Sequence, residues 1–371
     1  MKLQANVKEL IQEFIELVKI DSESLHCGKM ITYLHRVFKK HLGMTLYEQK
    51  TKESSNLIGK IGNGKPLMLS AHMDTVTPGL NIKPKILKDR IVSSGDTILA
   101  ADDKSAIAVY LYVLKLVKKY NLPILPLEIV FTYGEEIGLL GAKNLDFKKI
   151  TAKEGICFDA DGDVGEIYIS APYYIKFSLD VKGKAAHAGI EPEKGISAIK
   201  VLSDIISKIS IGRLNKTTTL NIGHISGGTA LNIVAPFAQA SGEIRSVQYD
   251  RALGVLDKIK TIANTVAKKY KVSVQVKSQK VFQGFQIDKK DKFLKRVLLS
   301  FEKEKIRPKL LHSNGGSDAN IFNAKGIKTL NLAIGMTNAH TTKEFIKIKN
   351  LKAAVSVLLD IISKKEVEIL W

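Results

Sequence analysis

The pattern of hydrophobic and polar positions at residues 67–74, Leu-Met-Leu-Ser-Ala-His-Met-Asp, predicts a buried strand with a polar end. Side chains on a β-strand point to the same face at every second residue. His72 and Asp74 are therefore predicted to leave the end of a buried strand on the same side. An imidazole and a carboxylate at this spacing either form a satisfied hydrogen-bonded pair or bind a metal ion.

Apolar runs that end in carboxylates recur further along the chain. Residues 127–133 read as a buried strand followed by Glu135 and Glu136, and residues 156–158 lead directly into Asp159. Buried acidic groups need a cation or a proton to offset their cost of desolvation. In an open α/β sheet, ligands bind in the crevice outside the carboxyl ends of the strands, so these groups are predicted to converge there.

Asp102 and Asp103 stand at the start of a helical run that extends to about residue 117. One interpretation is helix capping, because aspartate is favoured at the positive end of the helix dipole. The other is that Asp102 adds a carboxylate to the same crevice. One histidine and several carboxylates form a hard nitrogen and oxygen ligand set, which suits zinc, manganese or cobalt.

Two local predictions concern the first third of the chain. Residues 22–42 have amphipathic spacing and predict a helix with Ser22 or Ser24 as its N-cap. Residues 59–65 resemble a phosphate-binding loop, but Pro66 follows where a magnesium-binding Ser or Thr is required. A strand also follows, where a phosphate site needs a helix N-terminus. We therefore interpret this segment as a hairpin turn.

The order of elements changes after Pro172. Strands and helices then follow in the order β-α-β-β-α-β, which is typical of a ferredoxin-like sandwich. The α/β pattern resumes afterwards. The sequence thus predicts an α/β domain formed by residues 1–172 and 285–371. A ferredoxin-like α+β domain, residues 173–284, is inserted into it.

Composition narrows the class of protein. The 371 residues include 57 Lys+Arg against 37 Asp+Glu, a formal net charge of +20. The lysines are spread along the chain, which favours a solvated surface, and we expect no nucleic-acid partner. Cys27 and Cys157 form neither a ligand spacing nor a disulfide framework. With no signal-peptide pattern and no apolar run near the roughly 20 residues of a membrane helix, we expect a cytoplasmic protein without a membrane partner.

Seven short motifs are spread along nearly the whole chain, at residues 70–76, 101–104, 134–138, 158–159, 183–189, 316–318 and 338–340. Together they resemble the M20 family of co-catalytic metallopeptidases, and within it the peptidase T group. Each motif alone is weakly specific, but all of them occur in the family's order.

The resemblance implies two divalent metal ions, zinc being the first choice and cobalt or manganese the alternatives. His72, Asp102 and Asp159 would hold one ion. Asp102, Glu136 and His340 would hold the other, so that Asp102 bridges the two. The peptide bond after Asp102 is expected to be cis. Asp161 lies in the same acidic loop as Asp159 and is a rival ligand.

The same resemblance makes Glu135 the general base and gives Asp74 the role of orienting His72. Spacing alone does not decide which of Glu135 and Glu136 is the base and which is the ligand.

The resemblance implies that the α/β domain is a zinc-exopeptidase-like catalytic domain with a mixed central sheet. The inserted domain resembles the family's lid and dimerisation domain, which implies a homodimer. His187, Asn232 and Arg245 match positions that contact substrate in relatives. Arg245 would hold the substrate carboxylate bidentately, with a surface salt bridge as the alternative. For His187, a structural role in its turn is the alternative.

The resemblance implies an aminopeptidase that hydrolyses short peptides, typically tripeptides. A dipeptidase or an N-acyl-amino-acid deacylase of the same family would share the metal ligands and differ in the substrate pocket. A non-catalytic binding protein with a basic surface is the alternative from another class. The complete set of ligands and base argues against that last alternative.

Overall fold

The chain folds into two units, and the computed structural model describes all of residues 1–371. We call Met1–Ile169, Ile287–His312 and Ser317–Trp371 the α/β unit. Ser170–Gln286 together with Ser313–Gly316 form the inserted unit. The sequence placed the insertion at residues 173–284.

The first part of the α/β unit contains strands of three to seven residues and four α-helices. A π-helical turn, Phe38–Leu42, extends the second helix, and a 3₁₀ turn, Phe147–Lys149, precedes the eighth strand. In chain order the elements are β1 (Lys2–Gln4), α1 (Val7–Val18), α2 (Gly28–Val37), β2 (Tyr47–Lys50), β3 (Ser55–Ile61), β4 (Leu67–His72), β5 (Pro84–Ile86), β6 (Arg90–Ser93), α3 (Ala101–Lys119), β7 (Leu127–Thr132), α4 (Leu140–Lys143), β8 (Glu154–Ala160) and β9 (Glu166–Ala171).

The inserted unit is an antiparallel sheet with two helices. Its elements are β10 (Tyr173–Lys182), a 3₁₀ turn (Pro192–Lys194), α5 (Ala198–Ile206), β11 (Gly212–Asn215), β12 (Thr218–Gly227), β13 (Phe237–Ser246), α6 (Tyr249–Tyr270) and β14 (Ser273–Phe282). The spatial order β11-β12-β13-β10-β14 contains the ferredoxin-like arrangement, so the predicted fold class is confirmed. The short edge strand β11 was not predicted.

The remaining elements complete the α/β unit. They are β15 (Phe285–Gln286), α7 (Lys292–Lys303), β16 (Lys309–His312), α8 (Asp318–Ala324), β17 (Lys328–Ala333), β18 (Met336–Thr337), β19 (Phe345–Lys347), α9 (Ile348–Ile362) and β20 (Glu368–Leu370). The short strands form two small sheets, β18-β19-β6-β5 and β1-β20, which alternation over two to four residues could not reveal. None of the helices combines the length and apolarity needed to span a membrane.

The main sheet of the α/β unit is mixed, with the order β15-β9-β17-β8-β4-β7-β3-β2, and β16 pairs with β9. Its centre, β17-β8-β4-β7, is parallel. Every residue of β4 and β7 is buried, as expected for parallel strands covered on both faces. The carboxyl ends of these four strands therefore lie at one edge of the sheet, which is the edge where the polar residues were predicted to converge.

The predicted hairpin at residues 59–65 is wrong. β3 and β4 are consecutive in the chain but not neighbours in the sheet, because β7 lies between them. β7 pairs antiparallel with β3 and parallel with β4. A fully buried strand needs hydrogen-bonded partners along both of its edges, and β4 obtains them from β7 and β8.

The predicted helix over residues 22–42 begins later than expected, at Gly28. Neither Ser22 nor Ser24 caps it, because their segment runs beside the residue that follows β4. The Thr75 N–H donates to the Ser22 carbonyl at 3.0 Å, and the Ser24 N–H donates to the Thr75 carbonyl at 3.1 Å. These contacts place the Ser24 hydroxyl near Asp74.

The core of the inserted unit forms where α5 and α6 cover one face of its sheet. Val201, Leu202 and Ile205 of α5 pack there with alternate residues of β10, including Leu179 and Val181. All five side chains are fully buried. Apolar and polar residues alternate along the strands of the insertion because one face of the sheet packs against the helices and the other face carries polar residues.

We predict that Leu202→Ala lowers the free energy of unfolding by about 2–5 kcal/mol, because it leaves a cavity in this core. Urea unfolding of the full chain measures the loss. Lys200→Ala, two residues away on the exposed side of α5, is the matched control and should change stability by less than about 0.5 kcal/mol. Equal effects of the two substitutions would contradict the assignment of this core.

Candidate metal centre

His72 is buried at the carboxyl end of β4. Its Nδ1 lies 2.8 Å from the Asp74 backbone carbonyl and 3.6 Å from the Asp74 carboxylate. A carbonyl oxygen can only accept, so Nδ1–H is the donor and Nε2 is directed elsewhere. The sequence predicted that the Asp74 carboxylate orients His72, but the nearer partner is the Asp74 main chain.

The Asp74 carboxylate connects β4 to the loop after β7. Oδ1 accepts the Glu135 N–H at 3.0 Å, and Oδ2 accepts the Glu136 N–H at 3.3 Å and the Ser24 hydroxyl at 2.6 Å. Burial opposes the charge on Asp74, but these donors and His72 hold its pKa below the usual range. Asp74 therefore remains a carboxylate that fixes the backbone of both glutamates.

Asp102 contacts two histidines from opposite ends of the sequence. Its Oδ1 lies 3.0 Å from His72 Nε2, and its Oδ2 lies 3.1 Å from His340 Nε2. The peptide bond between Asp102 and Asp103 is cis, as the resemblance implied. Burial opposes the charge of Asp102, but the two imidazoles outweigh it and lower the pKa of this carboxyl.

Glu136 is the second carboxylate beside His340. Its Oε2 lies 3.0 Å from His340 Nε2, whereas its buried Oε1 has no hydrogen-bond partner. The carboxylates of Asp102 and Glu136 raise the pKa of His340 to about 10. One potential ligand atom each from His72, Asp102 and Glu136 lies within 4.8 Å of the others.

Asp159 and Asp161 were the rival ligands in the acidic loop after β8. Asp159 Oδ1 lies 3.9 Å from His72 Nε2, and its side chain is 10% exposed. Asn331 holds the Asp159 backbone on both sides, accepting its N–H at 3.1 Å and donating to its carbonyl at 2.8 Å. Asp161 is exposed. Asp159 is thus the better placed of the two beside His72.

Glu135 lies at the same edge of the sheet, and it is buried. Burial and the negative charge of Asp159 raise its pKa well above the usual range. The structure pairs the neighbouring Glu136, and not Glu135, with His340. A carboxyl group with a raised pKa that is not paired with a histidine suits a general base.

The charges of the whole cluster fit divalent cations. The pKa values of Asp159 and Glu136 are raised by burial and then by the charge of Asp102, so these acids compete for too few positive partners. Two imidazoles with several carboxylates are a ligand set that zinc, manganese and cobalt accept. The unpaired Glu136 oxygen is the direct sign that the protein alone leaves this set incomplete.

His187 and Asn232 lie close together in the inserted unit, and both are exposed. The Ala188 N–H donates to the Asn232 carbonyl at 2.9 Å, and residues 187 and 233 form an isolated bridge. The Gly189 N–H donates to His187 Nδ1 at 3.2 Å. Nδ1 is therefore an acceptor, and the neutral imidazole carries its proton on Nε2 as a free donor.

Arg245, on β13, already has an acidic partner. Its Nε and Nη2 donate to the two carboxylate oxygens of Glu243 at 2.9 and 3.3 Å. Nη1 donates to the Asn314 carbonyl at 3.4 Å, and the guanidinium lies 4.6 Å from the ring centre of Tyr174. The salt bridge that was the alternative for this residue is present, and its contact with substrate stays a prediction.

Comparisons with known proteins agree with both units. A model of the M20 peptidase dimerisation domain matches residues 171–271, and a model of peptidase family M28 matches residues 56–166. The uncharacterized protein YqjE of Bacillus subtilis is 37% identical, over 97% of this chain and 99% of its own length.

Two crystal structures match over 96% of this chain and 98% of their own. Aminopeptidase PepT from Bacillus cereus is 38% identical with a TM-score of 0.90, and a tripeptidase from Staphylococcus aureus is 34% identical with a TM-score of 0.92. This chain belongs to the M20 family, in the peptidase T group. The predicted family is therefore confirmed.

In this M20 peptidase, three residues beside the proposed ligands were not assigned to the site from the sequence. Ser24 binds Asp74, and Asp318 accepts a hydrogen bond from the Thr132 hydroxyl at the end of β7. Burial raises the pKa of Asp318 to about 6. Glu344 accepts hydrogen bonds from the backbone N–H groups of Leu99, Ala100 and Asp102. Glu344 follows His340 in a polar loop without periodicity, so no local pattern identified it.

Proposed function

We propose that this protein is a metal-dependent aminopeptidase that releases the N-terminal residue of tripeptides. The observation that carries the proposal is the position of Asp102, with one oxygen directed at His72 and the other at His340. That arrangement suits a carboxylate that bridges two ions. The similar proteins described as aminopeptidase PepT and as a tripeptidase support the choice of substrate.

His72, Asp102 and Asp159 would hold one ion, and Asp102, Glu136 and His340 the other. Zinc is the ion we propose, with cobalt and manganese as alternatives that the same ligands accept. When bound, the two ions would lower the pKa of a water molecule and polarise the scissile carbonyl. Asp74 keeps His72 in the tautomer whose Nε2 can bind a metal.

Glu135 would act as the general base. It accepts a proton from the attacking water and later delivers a proton to the leaving amine, as the carbon–nitrogen bond breaks. Its burial supports this role, because a raised pKa brings a carboxyl group nearer to neutral pH.

Arg245, Asn232 and His187 would contact the substrate. The Arg245 guanidinium is oriented by Glu243 and Tyr174, and it would bind the terminal carboxylate of the peptide. The free Nε2–H of His187 would donate to the oxyanion that forms when the carbonyl is attacked.

The protein would act as a homodimer through the inserted unit. β11 covers only Thr218–Leu220 of the outer edge of β12, so the rest of that edge is open to a second strand. Exposed apolar side chains lie on and after this strand: Ile225 on β12 is 57% exposed, Leu231 in the loop that follows is fully exposed, and Phe237 at the start of β13 is 42% exposed. An open strand edge beside apolar side chains suits pairing with another copy.

Cys27 and Cys157 are both buried and free, which agrees with a reducing cytoplasm.

We expect that a chelator abolishes hydrolysis and that zinc, cobalt or manganese restores it, because the buried carboxylates need cations. The assay is a panel of tripeptides, with dipeptides, longer peptides and N-acyl-amino acids as comparison substrates. Tripeptides should be cleaved fastest, with release of the first residue. Full activity after the metal content has fallen to zero would disprove the proposed metallopeptidase activity. A preference for N-acyl-amino acids over peptides would instead identify the protein as a deacylase.

We expect Glu135→Gln to lower kcat by about 10²–10⁴-fold while both metals stay bound, because the amide cannot take up the proton. Elemental analysis and steady-state kinetics measure the two effects separately. Glu136→Gln is the matched control and should lose metal. If metal content fell in Glu135→Gln and stayed intact in Glu136→Gln, the two glutamates would exchange roles.

His187→Ala should keep its metals and its fold but lose about 10²–10³-fold in kcat, the scale of one oxyanion donor. In the dimer we propose, each His187 serves the partner's site. Mixing His187→Ala with Glu135→Gln subunits under exchange should therefore restore one working site in each mixed dimer. A fully active monomer in sedimentation, or well-folded mixed dimers without activity, would rule out delivery across the interface.

A further inference from the structure

Glu344 is a buried carboxylate with no role in the proposed chemistry. It is 1% exposed, and both of its oxygens accept backbone hydrogen bonds. Oε2 accepts the N–H groups of Leu99 and Ala100 at 2.7 and 2.8 Å, and Oε1 accepts the Asp102 N–H at 3.1 Å. One side chain therefore holds the whole turn that leads into Asp102.

Both segments joined by Glu344 have unusual backbone conformations. Ala100 has φ +61°, while Asn338 and His340 in the other segment have φ +56° and +63°. Residues other than glycine adopt this left-handed region at a cost, so the surrounding structure must hold them in place. Glu344 provides such a hold between segments that are 242 residues apart in the chain.

The loop from Asn338 to Glu344 is also tied internally. The Glu344 N–H donates to the Thr341 carbonyl at 3.1 Å, and the Thr341 hydroxyl donates to the Asn338 carbonyl at 2.8 Å. His340 lies inside this loop. The Asp102 Oδ2 lies 3.1 Å from the His340 Nε2. Movement of Glu344 would therefore change the position of His340 relative to Asp102.

We propose that Glu344 is a positioning residue that fixes His340 against Asp102 and thereby sets the affinity for the ion that these two residues share with Glu136. This inference rests on the proposed two-ion function. The other ion depends less on Glu344, since His72 is held by the Asp74 carbonyl and Asp159 by Asn331. Loss of Glu344 thus weakens the binding of the ion at Glu136 and His340 more than the binding of the ion at His72 and Asp159.

Glu344→Gln tests the proposal with almost no change in volume. The amide places an NH₂ group opposite a backbone N–H, so at least one of the hydrogen bonds is lost. Residues that orient metal ligands typically contribute 10–100-fold in metal affinity. We expect one zinc ion to bind about 10–100-fold more weakly and the second to change less.

Glu128→Gln is the matched control. Glu128 is also 1% exposed and accepts backbone hydrogen bonds from Thr151 and Ala152, and it pairs with Lys60. It is not among the residues assigned to the metal centre. This substitution should lower stability in urea and leave both ions bound with wild-type affinity.

The experiment equilibrates the wild-type, Glu344→Gln and Glu128→Gln full-length proteins at buffered zinc concentrations and measures bound zinc by elemental analysis. The proposal requires that Glu344→Gln alone falls from two ions to one at a concentration that saturates the wild type. Its tripeptide hydrolysis should recover when zinc is raised, which a purely structural defect would not show.

Two ions bound with unchanged affinity in Glu344→Gln, or equal weakening of both ions, would overturn the proposal. If Glu344→Gln does not fold, Glu344→Asp replaces it, because it retains the charge but is one methylene shorter, and the same selective loss is required. If the wild type binds neither zinc nor cobalt nor manganese, the proposed two-ion function is wrong and this inference is wrong with it.

Discussion

The site depends on the pairing of one buried aspartate with two histidines. Asp102 offers one oxygen to His72 and the other to His340, and each imidazole is also close to a second carboxylate. Burial raises the free energy of every charge in this group, so each acid requires a positive partner. The imidazoles are too few for the carboxylates around them, and divalent cations are the partners that complete the balance.

Hydrogen bonds between side chains and main-chain groups fix the positions of these ligands. The Asp74 carbonyl orients His72, its carboxylate holds the backbone of Glu135 and Glu136, and Glu344 holds the turn before Asp102. The proposed ligands come from separate loops at the ends of several strands. Hydrogen bonds to the backbone therefore help to set the distances between the ligands.

The inserted unit has a different organisation. Its helices cover one face of an antiparallel sheet, which leaves the other face and part of the β12 edge exposed. Its side chains bind no metal in our proposal and act instead through hydrogen-bond donors, Arg245 and the free Nε2–H of His187. In the proposed function, charge compensation therefore belongs to the α/β unit and substrate recognition to the inserted unit.

Alternation and helical spacing in the sequence predicted the fold class and put His72, Glu135 and Asp159 at strand ends, because they record which side of each element is buried. His340 entered the predicted site only through the family resemblance. The sequence did not determine which strands are neighbours, so β7 between β3 and β4 was missed. It assigned Ser22 and Ser24 to a helix cap, although their segment lies beside Thr75. The tertiary structure alone brought Glu344 to Asp102, because a hydrogen bond between segments 242 residues apart leaves no periodic trace in either one.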